Sequence, residues 1–108
     1  MIKVLIADDH ALFRDGLKRI INETDDIDVV AEAIDGKDTL KKAKECDWDI
    51  ALLDINFPDI NGLDILKRML SANAASRVLV LSMYPEDEYA IRAIIWVFDE
   101  RQSNRSAH

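Results

Sequence analysis

Short runs of apolar residues recur along the chain, and three of them end directly in polar residues suited to a charged site. The three runs with their polar ends are 4–7 before Asp8 and Asp9, 50–53 before Asp54, and 78–81 before Ser82. Near-continuous Val, Ile and Leu runs of this length are typical of strands buried on both faces of a parallel sheet. Another run, 27–33, mixes Asp28 and Glu32 with apolar residues, so we predict an edge strand there.

The segments between the runs carry helical patterns. Residues 10–22 place apolar side chains at helical spacing and leave charged ones to solvent. The apolar set is Phe13, Leu17, Ile20 and Ile21, and the charged set is Arg14, Asp15, Lys18 and Arg19. Asp9 is a good N-cap for this helix. Further helices are predicted over 37–45 and 63–70, and a fourth begins after Pro85 with acidic residues in its first turn.

Alternating strands and helices predict an α/β domain with a doubly wound parallel sheet. The 108 residues suffice for one domain with one core. The regularity fails from Ile94 onward, where an apolar stretch through Trp96 and Phe98 precedes a polar tail. We predict a domain core over 1–93. Over 94–108 we predict an extension of the fourth helix and the tail, with no visible fifth strand.

The charge balance and hydropathy exclude several classes of partner. A formal net charge of −7 argues against binding of nucleic acid through this chain, because phosphate backbones are bound by clustered Lys and Arg. The sequence has no apolar run long enough for a membrane span. Its first residues lead into a strand and not into a signal peptide. We therefore expect a cytoplasmic location.

The three carboxylates at strand ends predict a charged site. The carboxyl ends of parallel strands meet at one edge of a sheet, where open α/β proteins bind ligands. Two carboxylates about 4 Å apart repel by about 4 kcal/mol at an effective dielectric constant near 20. A hard divalent ion such as Mg²⁺ would relieve that repulsion and neutralise a phosphoryl group.

Alternatively, Asp9 only caps the first helix, Asp8 is a solvated strand end, and Asp54 caps the loop before Pro58. His10 is interpreted as a helix-start residue with a solvated ring.

Motifs in a characteristic order carry a family resemblance. They are Asp8-Asp9, then Asp54-Ile55-Asn56-Phe57-Pro58 with Gly62, then Val80-Leu81-Ser82-Met83-Tyr84. Over about residues 3–93 the chain resembles the receiver domain of bacterial two-component response regulators. Residues 81–84 and 88–93 most resemble the LuxR/NarL-type subfamily, whose receivers precede a DNA-binding helix-turn-helix. The resemblance implies a flavodoxin-like fold with strand order 2-1-3-4, and a role in regulating transcription.

The resemblance also implies residue roles. Asp54 would accept a phosphoryl group from a phosphohistidine on a sensor histidine kinase. Asp9 would bind Mg²⁺ directly and Asp8 through water, with Asp54 and the backbone carbonyl of Asn56 completing the protein ligands. The residues implied to contact the phosphoryl group and to switch upon its arrival are Ser82, Met83 and Tyr84. Such a domain is not an enzyme beyond its own phosphorylation and dephosphorylation, and it signals through a change of surface.

The chain departs from the family at its end. Family members have a fifth strand ending in a Lys, and then a fifth helix; here the Lys position falls near Asn104, and no Lys is found. Arg101 or Arg105 could replace it only if the tail folds back. Loss of such a partner costs about 10²- to 10³-fold in rate, so a degenerate receiver that only mediates protein association is a second interpretation. The early end suggests a truncated or altered version of a longer gene.

Two further expectations concern reaction class and assembly. A phosphatase of the haloacid dehalogenase type also uses a strand-end Asp, but it needs a second Asp two positions later, where Asn56 stands.

Without a fifth helix, apolar surface on strands one, three and four would be uncovered, and such patches mark association sites. We expect residues 94–98 to pack against a second copy, as a homodimer or by exchange of the segment, or to fold back on their own sheet.

Overall fold

A computed structural model describes residues 1–72, 77–84 and 91–98. Within these ranges the chain forms five strands and three helices. The strands are β1 Ile2–Ala7, β2 Ile27–Ala33, β3 Ile50–Asp54, β4 Arg77–Tyr84 and β5 Ile91–Phe98. The helices are α1 Ala11–Asn22, α2 Gly36–Glu45 and α3 Gly62–Ala72. None of the helices in the described ranges has the length and apolarity needed to cross a bilayer.

The strands form one sheet in the order β2-β1-β3-β4-β5. β1, β2, β3 and β4 run parallel, which confirms the predicted α/β fold and the order 2-1-3-4. β2 lies at one edge, as its mixed polar and apolar sequence predicts. The pairing of Ala7 with Leu53 places the ends of β1 and β3 side by side.

The main core lies between the sheet and helices α2 and α3. Leu5 and Leu53 from the sheet are fully buried against α3 residues that include Ile65 and Met69. Trp48, at the junction of α2 and β3, is also buried, and its indole Nε1 donates a hydrogen bond to the Ala43 carbonyl over 3.1 Å. This cluster fixes the positions of β1 and β3, and therefore of the acidic residues that follow them.

Helix α1 packs much less tightly. Right-handed crossovers put it on the face opposite α2 and α3, because the chain moves outward from β1 to β2 and then back across β1 to β3. α1 has no fully buried residue. Phe13, Leu17 and Ile21 are half-buried as the helical pattern predicts, but Ile20 is 64% exposed. The prediction that Arg14 faces solvent is wrong, since its side chain is only 15% exposed.

The end of the chain corrects one prediction. The apolar stretch predicted to continue a fourth helix through Trp96 and Phe98 is instead strand β5, which pairs antiparallel with β4. Only residues 85–90 separate the two strands. A parallel neighbour needs a crossover of about a dozen residues or more, so a connection this short permits only the antiparallel arrangement. A fifth strand, which the sequence did not reveal, is thus present in altered form. The predicted start of the fourth helix at 85–90 and the tail 99–108 lie outside the described residues.

Candidate functional site

The carboxyl ends of β1 and β3 bring the predicted acidic residues together. Asp8 and Asp9 follow β1 directly, and Asp54 is the last residue of β3. One ligand atom from each of these three residues and from His10 lies within 4.8 Å of the others. The predicted juxtaposition of the three carboxylates is therefore confirmed. We call these four residues the rim cluster.

Asp8 and Asp54 hold their carboxylates in the same way. Both residues are almost completely buried, at 0% and 1% exposure. Asp8 Oδ1 accepts a hydrogen bond from the backbone N–H of His10 at 2.7 Å, and Asp54 Oδ1 accepts one from the backbone N–H of Asn56 at 2.9 Å. Each carboxylate is thus fixed by the amide two residues ahead, an Asx-turn geometry common where a strand ends. The side chain of Asp54 does shape its loop, as one alternative proposed, while also belonging to the rim cluster.

Asp9 does not cap helix α1. The N-cap residue is His10, whose backbone is extended with φ −100° and ψ 103°. The His10 side chain makes no capping hydrogen bond. The alternative in which Asp9 serves only as the cap is therefore wrong, because the helix begins one residue too late for it. The Asp9 side chain is 36% exposed and lies at the open side of the rim cluster.

His10 is the site residue that sequence reasoning missed. Its Nδ1 lies 2.8 Å from Asp9 Oδ1, 3.0 Å from Asp8 Oδ1 and 4.0 Å from Asp54 Oδ2. The interpretation as a helix-start residue with a solvated ring is confirmed, since His10 is the N-cap of α1 and 45% of its side chain is exposed, but the same ring also contacts the acidic residues. The only signal in the sequence was its position, directly after the acidic pair at the start of a helix.

Arg14 supports the rim cluster from α1. Its Nη1 donates to the backbone carbonyl of Asp8 at 2.7 Å, and its Nε donates to Glu32 Oε1 on β2 at 3.2 Å. Lys18 contacts the other oxygen of Glu32 at 3.1 Å. The hydrogen bond to Glu32, and then that to Asp15, raises the pKa of Lys18. These contacts tie the end of β1 to the neighbouring helix and strand.

The loop after Asp54 is closely packed. A Cβ atom on Gly62 would lie 2.6 Å from the Ile55 carbonyl oxygen and 2.9 Å from the Ile55 Cα. Contacts this short with backbone cannot be relieved by rotating a side chain, so the start of α3 needs glycine at this position. Phe57 is buried at 6% exposure. The conformation of the residues following Asp54 is thus fixed by the helix that comes after them.

The predicted switch residues continue β4 beyond the same rim. Leu81 pairs with Asp54, so the backbones of Ser82 and Met83 extend past the acidic residues. The described part of Ser82, Met83 and Tyr84 is limited to the backbone. Their predicted contacts with a phosphoryl group remain predictions. Asn104, Arg101 and Arg105 lie outside the described residues.

The donor set of the rim cluster fits a divalent cation. Three carboxylates supply oxygen ligands of the kind that Mg²⁺ binds, and their mutual repulsion at this separation favours a bound cation. Two of the three are buried, which strengthens both the repulsion and the attraction for an ion. The residues present therefore suit Mg²⁺.

Comparison with known proteins identifies the family. The family described as "Response regulator receiver domain" matches residues 4–98. The chain belongs to the response regulator receiver domains. This membership replaces the alternative of a dehalogenase-type phosphatase, and it places the chain among the signal-transduction modules of two-component systems. The predicted family and fold are confirmed.

Curated relatives of the LuxR/NarL type match most of the chain. The response regulator GacA of Pseudomonas syringae pv. syringae is 37% identical over 94 residues, which are 87% of this chain and 44% of that protein. The nitrate/nitrite response regulator protein NarL of Escherichia coli K12 is 35% identical over 91 residues, covering 84% of this chain and 42% of NarL. The chain spans less than half the length of these relatives.

Solved receiver structures share the fold. The response regulator domain of Thermotoga maritima CheB superposes with a TM-score of 0.71 at 38% identity, covering 82% of this chain and 65% of that one. The signal receiver domain of the putative response regulator NarL from Mycobacterium tuberculosis gives a TM-score of 0.69 at 35% identity, with coverages of 79% and 68%.

Proposed function

We propose that this receiver accepts a phosphoryl group on Asp54 from a phosphohistidine of a sensor histidine kinase. The observation that carries the proposal is the rim cluster, in which Asp54 is buried beside two further carboxylates at the carboxyl edge of the sheet. The first four strands of that sheet have the receiver order. Asp54 is the one member of the cluster that belongs to a strand, the central strand β3, whereas the other three lie between β1 and α1. Its position is therefore defined better than theirs.

The transfer itself needs little from the protein beyond position. An oxygen of the Asp54 carboxylate attacks phosphorus, the P–N bond to the kinase histidine breaks, and an acyl phosphate forms as the imidazole leaves with the bonding electrons. The Asn56 N–H holds Asp54 Oδ1 at 2.9 Å, which fixes the direction of the other oxygen. Positioning of this kind supplies most of the catalysis in phosphoryl transfer. The domain therefore acts as a phosphoacceptor and not as an enzyme with external turnover.

Mg²⁺ is the cofactor that we assign to this chemistry. Asp9 and Asp54 would bind it directly, Asp8 through water, and the backbone carbonyl of Asn56 would complete the protein ligands. When bound, the ion supplies neutralisation of the charge on the carboxylates and the phosphoryl oxygens. Asp8 is fully buried and Asp9 is partly exposed, consistent with an inner supporting role for the first and direct contact for the second.

The output that we propose is a surface change on the β4 side of the sheet. Ser82, Met83 and Tyr84 follow the strand position that pairs with Asp54, so a phosphoryl group on Asp54 would be closest to them among the residues of β4. The names of GacA, NarL and DegU relatives describe response regulators and a transcriptional regulatory protein. We propose the same role in transcription, in the cytoplasm, for the protein to which this chain belongs.

The experiment that tests the proposal is incubation with acetyl phosphate and Mg²⁺, read by intact mass. We expect the native chain to gain one phosphate and Asp54→Asn to gain none. Asp64→Asn is the matched control, because Asp64 is an exposed residue of the first turn of α3, outside the rim cluster. It should be phosphorylated like the native chain. Equal phosphate gain in Asp54→Asn would refute the assignment of the acceptor.

The second interpretation, a degenerate receiver, makes a different prediction in the same experiment. It expects no mass gain in a chain whose circular dichroism shows an intact fold. The observation that favours it is the sequence of β5, which ends in Phe98 and contains no Lys. A receiver of this kind would act through association alone.

We propose that the chain self-associates through residues 94–98, as a homodimer or by exchange of the segment. These residues belong to β5, which is an edge strand of the sheet. Edge strands present unpaired backbone groups that another strand can use. Exchange would pair β5 of one copy with β4 of the second. Sedimentation velocity tests this proposal, and a clean monomer at tens of micromolar would refute it.

A further inference from the structure

We propose that His10 Nδ1 is a direct ligand of the divalent cation at the rim cluster, and that this ligand shifts the metal preference of the site from Mg²⁺ toward Mn²⁺. The assignment rests on the proposed function, since it adds a residue to the same site. A histidine at this position is absent from the ligand set that the family resemblance implies.

The distances from His10 match an octahedral coordination shell. Ligand bonds of about 2.1 Å put neighbouring ligands about 3.0 Å apart and opposite ligands about 4.2 Å apart. His10 Nδ1 lies 2.8 Å from Asp9 Oδ1, a separation of neighbouring ligands, and 3.0 Å from Asp8 Oδ1, the carboxylate assigned to the ion through water. It lies 4.0 Å from Asp54 Oδ2, close to the separation of opposite ligands. One ion that binds the carboxylate oxygens of Asp9 and Asp54 can therefore also contact the His10 nitrogen.

The backbone of His10 is fixed beside the carboxylates. The His10 N–H is bound to Asp8 Oδ1 at 2.7 Å, so the residue cannot move away from the carboxylates without breaking that bond. As the N-cap of α1 it has an extended backbone, and its side chain makes no capping hydrogen bond. The ring is directed toward the acidic groups, and nearly half of its surface remains accessible for an ion to enter.

An imidazole ligand alters which ions bind well. Mg²⁺ is a hard ion that keeps oxygen ligands and several waters, so it gains little from a ring nitrogen. Mn²⁺ accepts carboxylate and imidazole ligands in octahedral geometry, and imidazole suits the later first-row ions still better. We therefore expect His10 to increase the affinity for Mn²⁺ much more than the affinity for Mg²⁺.

The test is a comparison of His10→Asn with His108→Asn. Asn is a favourable N-cap residue, so the first variant keeps the start of α1 while removing the imidazole. His108 is the second of the two histidines in the chain, so the other variant makes the same substitution at the remaining histidine. Mn²⁺ binding is measured by electron paramagnetic resonance and competition with Mg²⁺. Direct ligation is measured by electron spin echo modulation from the histidine nitrogen, with selective nitrogen-15 labelling of histidine.

We expect the native chain and His108→Asn to show the same histidine nitrogen modulation. In His10→Asn the modulation should vanish and the Mn²⁺ affinity should fall at least about tenfold. Its Mg²⁺ affinity should change by less than about threefold, because Mg²⁺ depends on the oxygen ligands.

The failure of this assignment is distinguishable from failure of the proposed function. Mn²⁺ that binds to the native chain without any histidine nitrogen modulation would overturn the role of His10 and leave the carboxylate site standing. A native chain that binds neither Mn²⁺ nor Mg²⁺ would overturn both proposals.

Discussion

Arg14 links three parts of the molecule through one guanidinium group. It joins α1 to the backbone carbonyl of Asp8 at the end of β1, and to Glu32 on β2. Because only 15% of its side chain is exposed, these hydrogen bonds are partly shielded from water. Its first contact is with the residue that precedes Asp9, so we expect Arg14 to position the rim cluster as well as to stabilise the fold.

The variant Arg14→Met tests this role, since it keeps an apolar stem and removes the guanidinium. Loss of a charge-assisted hydrogen bond that leaves a buried carbonyl without its donor costs about 1–3 kcal/mol. We expect the free energy of unfolding, measured by urea denaturation, to fall by that amount. Phosphorylation of Asp54 by acetyl phosphate should also slow.

Lys18→Met is the matched control for Arg14→Met. Lys18 contacts the same Glu32 carboxylate from the same helix, but its side chain is 35% exposed. Exposed ion pairs contribute little to stability, so the loss should be smaller and phosphorylation should keep its native rate. Equal losses of stability and equal phosphorylation rates in both variants would contradict this role. They would show that Arg14 forms an ordinary surface ion pair with Glu32.

The residues that sequence reasoning misplaced share a physical cause. Helical periodicity assigned Arg14 to solvent because it is a charged residue outside the apolar positions of the helix, and periodicity carries no information about a strand end nearby. The Asp8 carbonyl, which Arg14 satisfies, is created only by the folded sheet. The contacts of His10 were missed for the same reason, since the carboxylate of Asp54 reaches it from 44 positions away in the sequence.

At the level of elements, Asp59 connects the loop after β3 to the start of α2. Its two carboxylate oxygens accept hydrogen bonds from the backbone N–H groups of Gly36 and Lys37, at 2.9 and 3.0 Å. The bonds from Lys37 and then Gly36 lower the pKa of Asp59 from its ordinary value of 3.8. A negative charge at a helix N-terminus also interacts favourably with the helix dipole. The loop that follows the phosphoacceptor strand therefore stabilises a neighbouring helix.

The lowered pKa of Asp59 predicts the pH dependence of stability. A carboxyl whose pKa is lower in the folded state stabilises the protein above its unfolded pKa, and this contribution is lost as pH falls through the folded pKa. We expect the native chain to be more stable than Asp59→Asn at neutral pH. The difference should persist down to about pH 4 and shrink below 3.8. Urea denaturation at several pH values measures it.

Asp64→Asn provides the control for the pH experiment, since Asp64 lies in the first turn of the adjacent helix α3. Both variants lose one negative charge, so effects of net charge are matched. A stability difference between native chain and Asp59→Asn that stays constant below pH 3.8 would contradict the ionised carboxylate as its source.

The first four strands could be predicted from sequence, whereas the fifth could not. Buried parallel strands have continuous apolar sequences that can be recognised directly. The predicted runs lie within the observed strands β1 to β4. The stretch that forms β5 has a similar composition, but a short apolar run does not distinguish a strand from a buried helix. What decided its structure was the open edge of β4 together with a connection of residues 85–90, too short for a parallel crossover.

The antiparallel direction of β5 predicts a role for Arg92. The backbone of Arg92 pairs with Met83, two positions beyond Leu81, which itself pairs with Asp54. An antiparallel strand thus begins at the rim where a parallel fifth strand would end with its Lys. We expect Arg92→Ala, which removes a positive charge from the part of β5 that pairs beyond Leu81, to slow phosphorylation of Asp54. Arg92→Lys should recover most of the rate.

Phosphorylation of Arg92→Ala is followed by intact mass with acetyl phosphate, and Arg77→Ala serves as its control. Arg77 stands at the opposite end of β4, where it pairs with Ile50 at the start of β3. A native rate in Arg92→Ala would remove Arg92 as the replacement for the missing Lys.

For the molecule as a whole, the rim cluster concentrates negative charge in a chain that already carries a formal net charge of −7. Two of the three carboxylates in the cluster are almost completely buried. Folding therefore brings like charges together that the unfolded chain keeps apart, and this repulsion destabilises the protein when no cation is bound. The same carboxylates that would bind a cation therefore lower the stability of the cation-free fold.

This conflict predicts that Mg²⁺ stabilises the folded protein and that neutralising Asp9 does so without it. A ligand that binds only the folded state at about 100 times its dissociation constant adds about 2.7 kcal/mol to the free energy of unfolding. For a domain of this size the midpoint of thermal unfolding should rise by about 10 °C or more. Asp9→Asn should unfold at a higher temperature than the native chain in the absence of Mg²⁺, and Mg²⁺ should stabilise it less.

Sodium chloride at matched ionic strength separates specific binding from screening in this measurement. Screening acts on all exposed charges, whereas the buried pair Asp8 and Asp54 is poorly screened. If sodium chloride raised the midpoint as much as Mg²⁺, the stabilisation would come from the overall charge of −7 and not from the rim cluster. A larger effect of Mg²⁺ that is reduced in Asp9→Asn would locate the stabilisation at the three carboxylates, because a single divalent ion bound there relieves several repulsions at once.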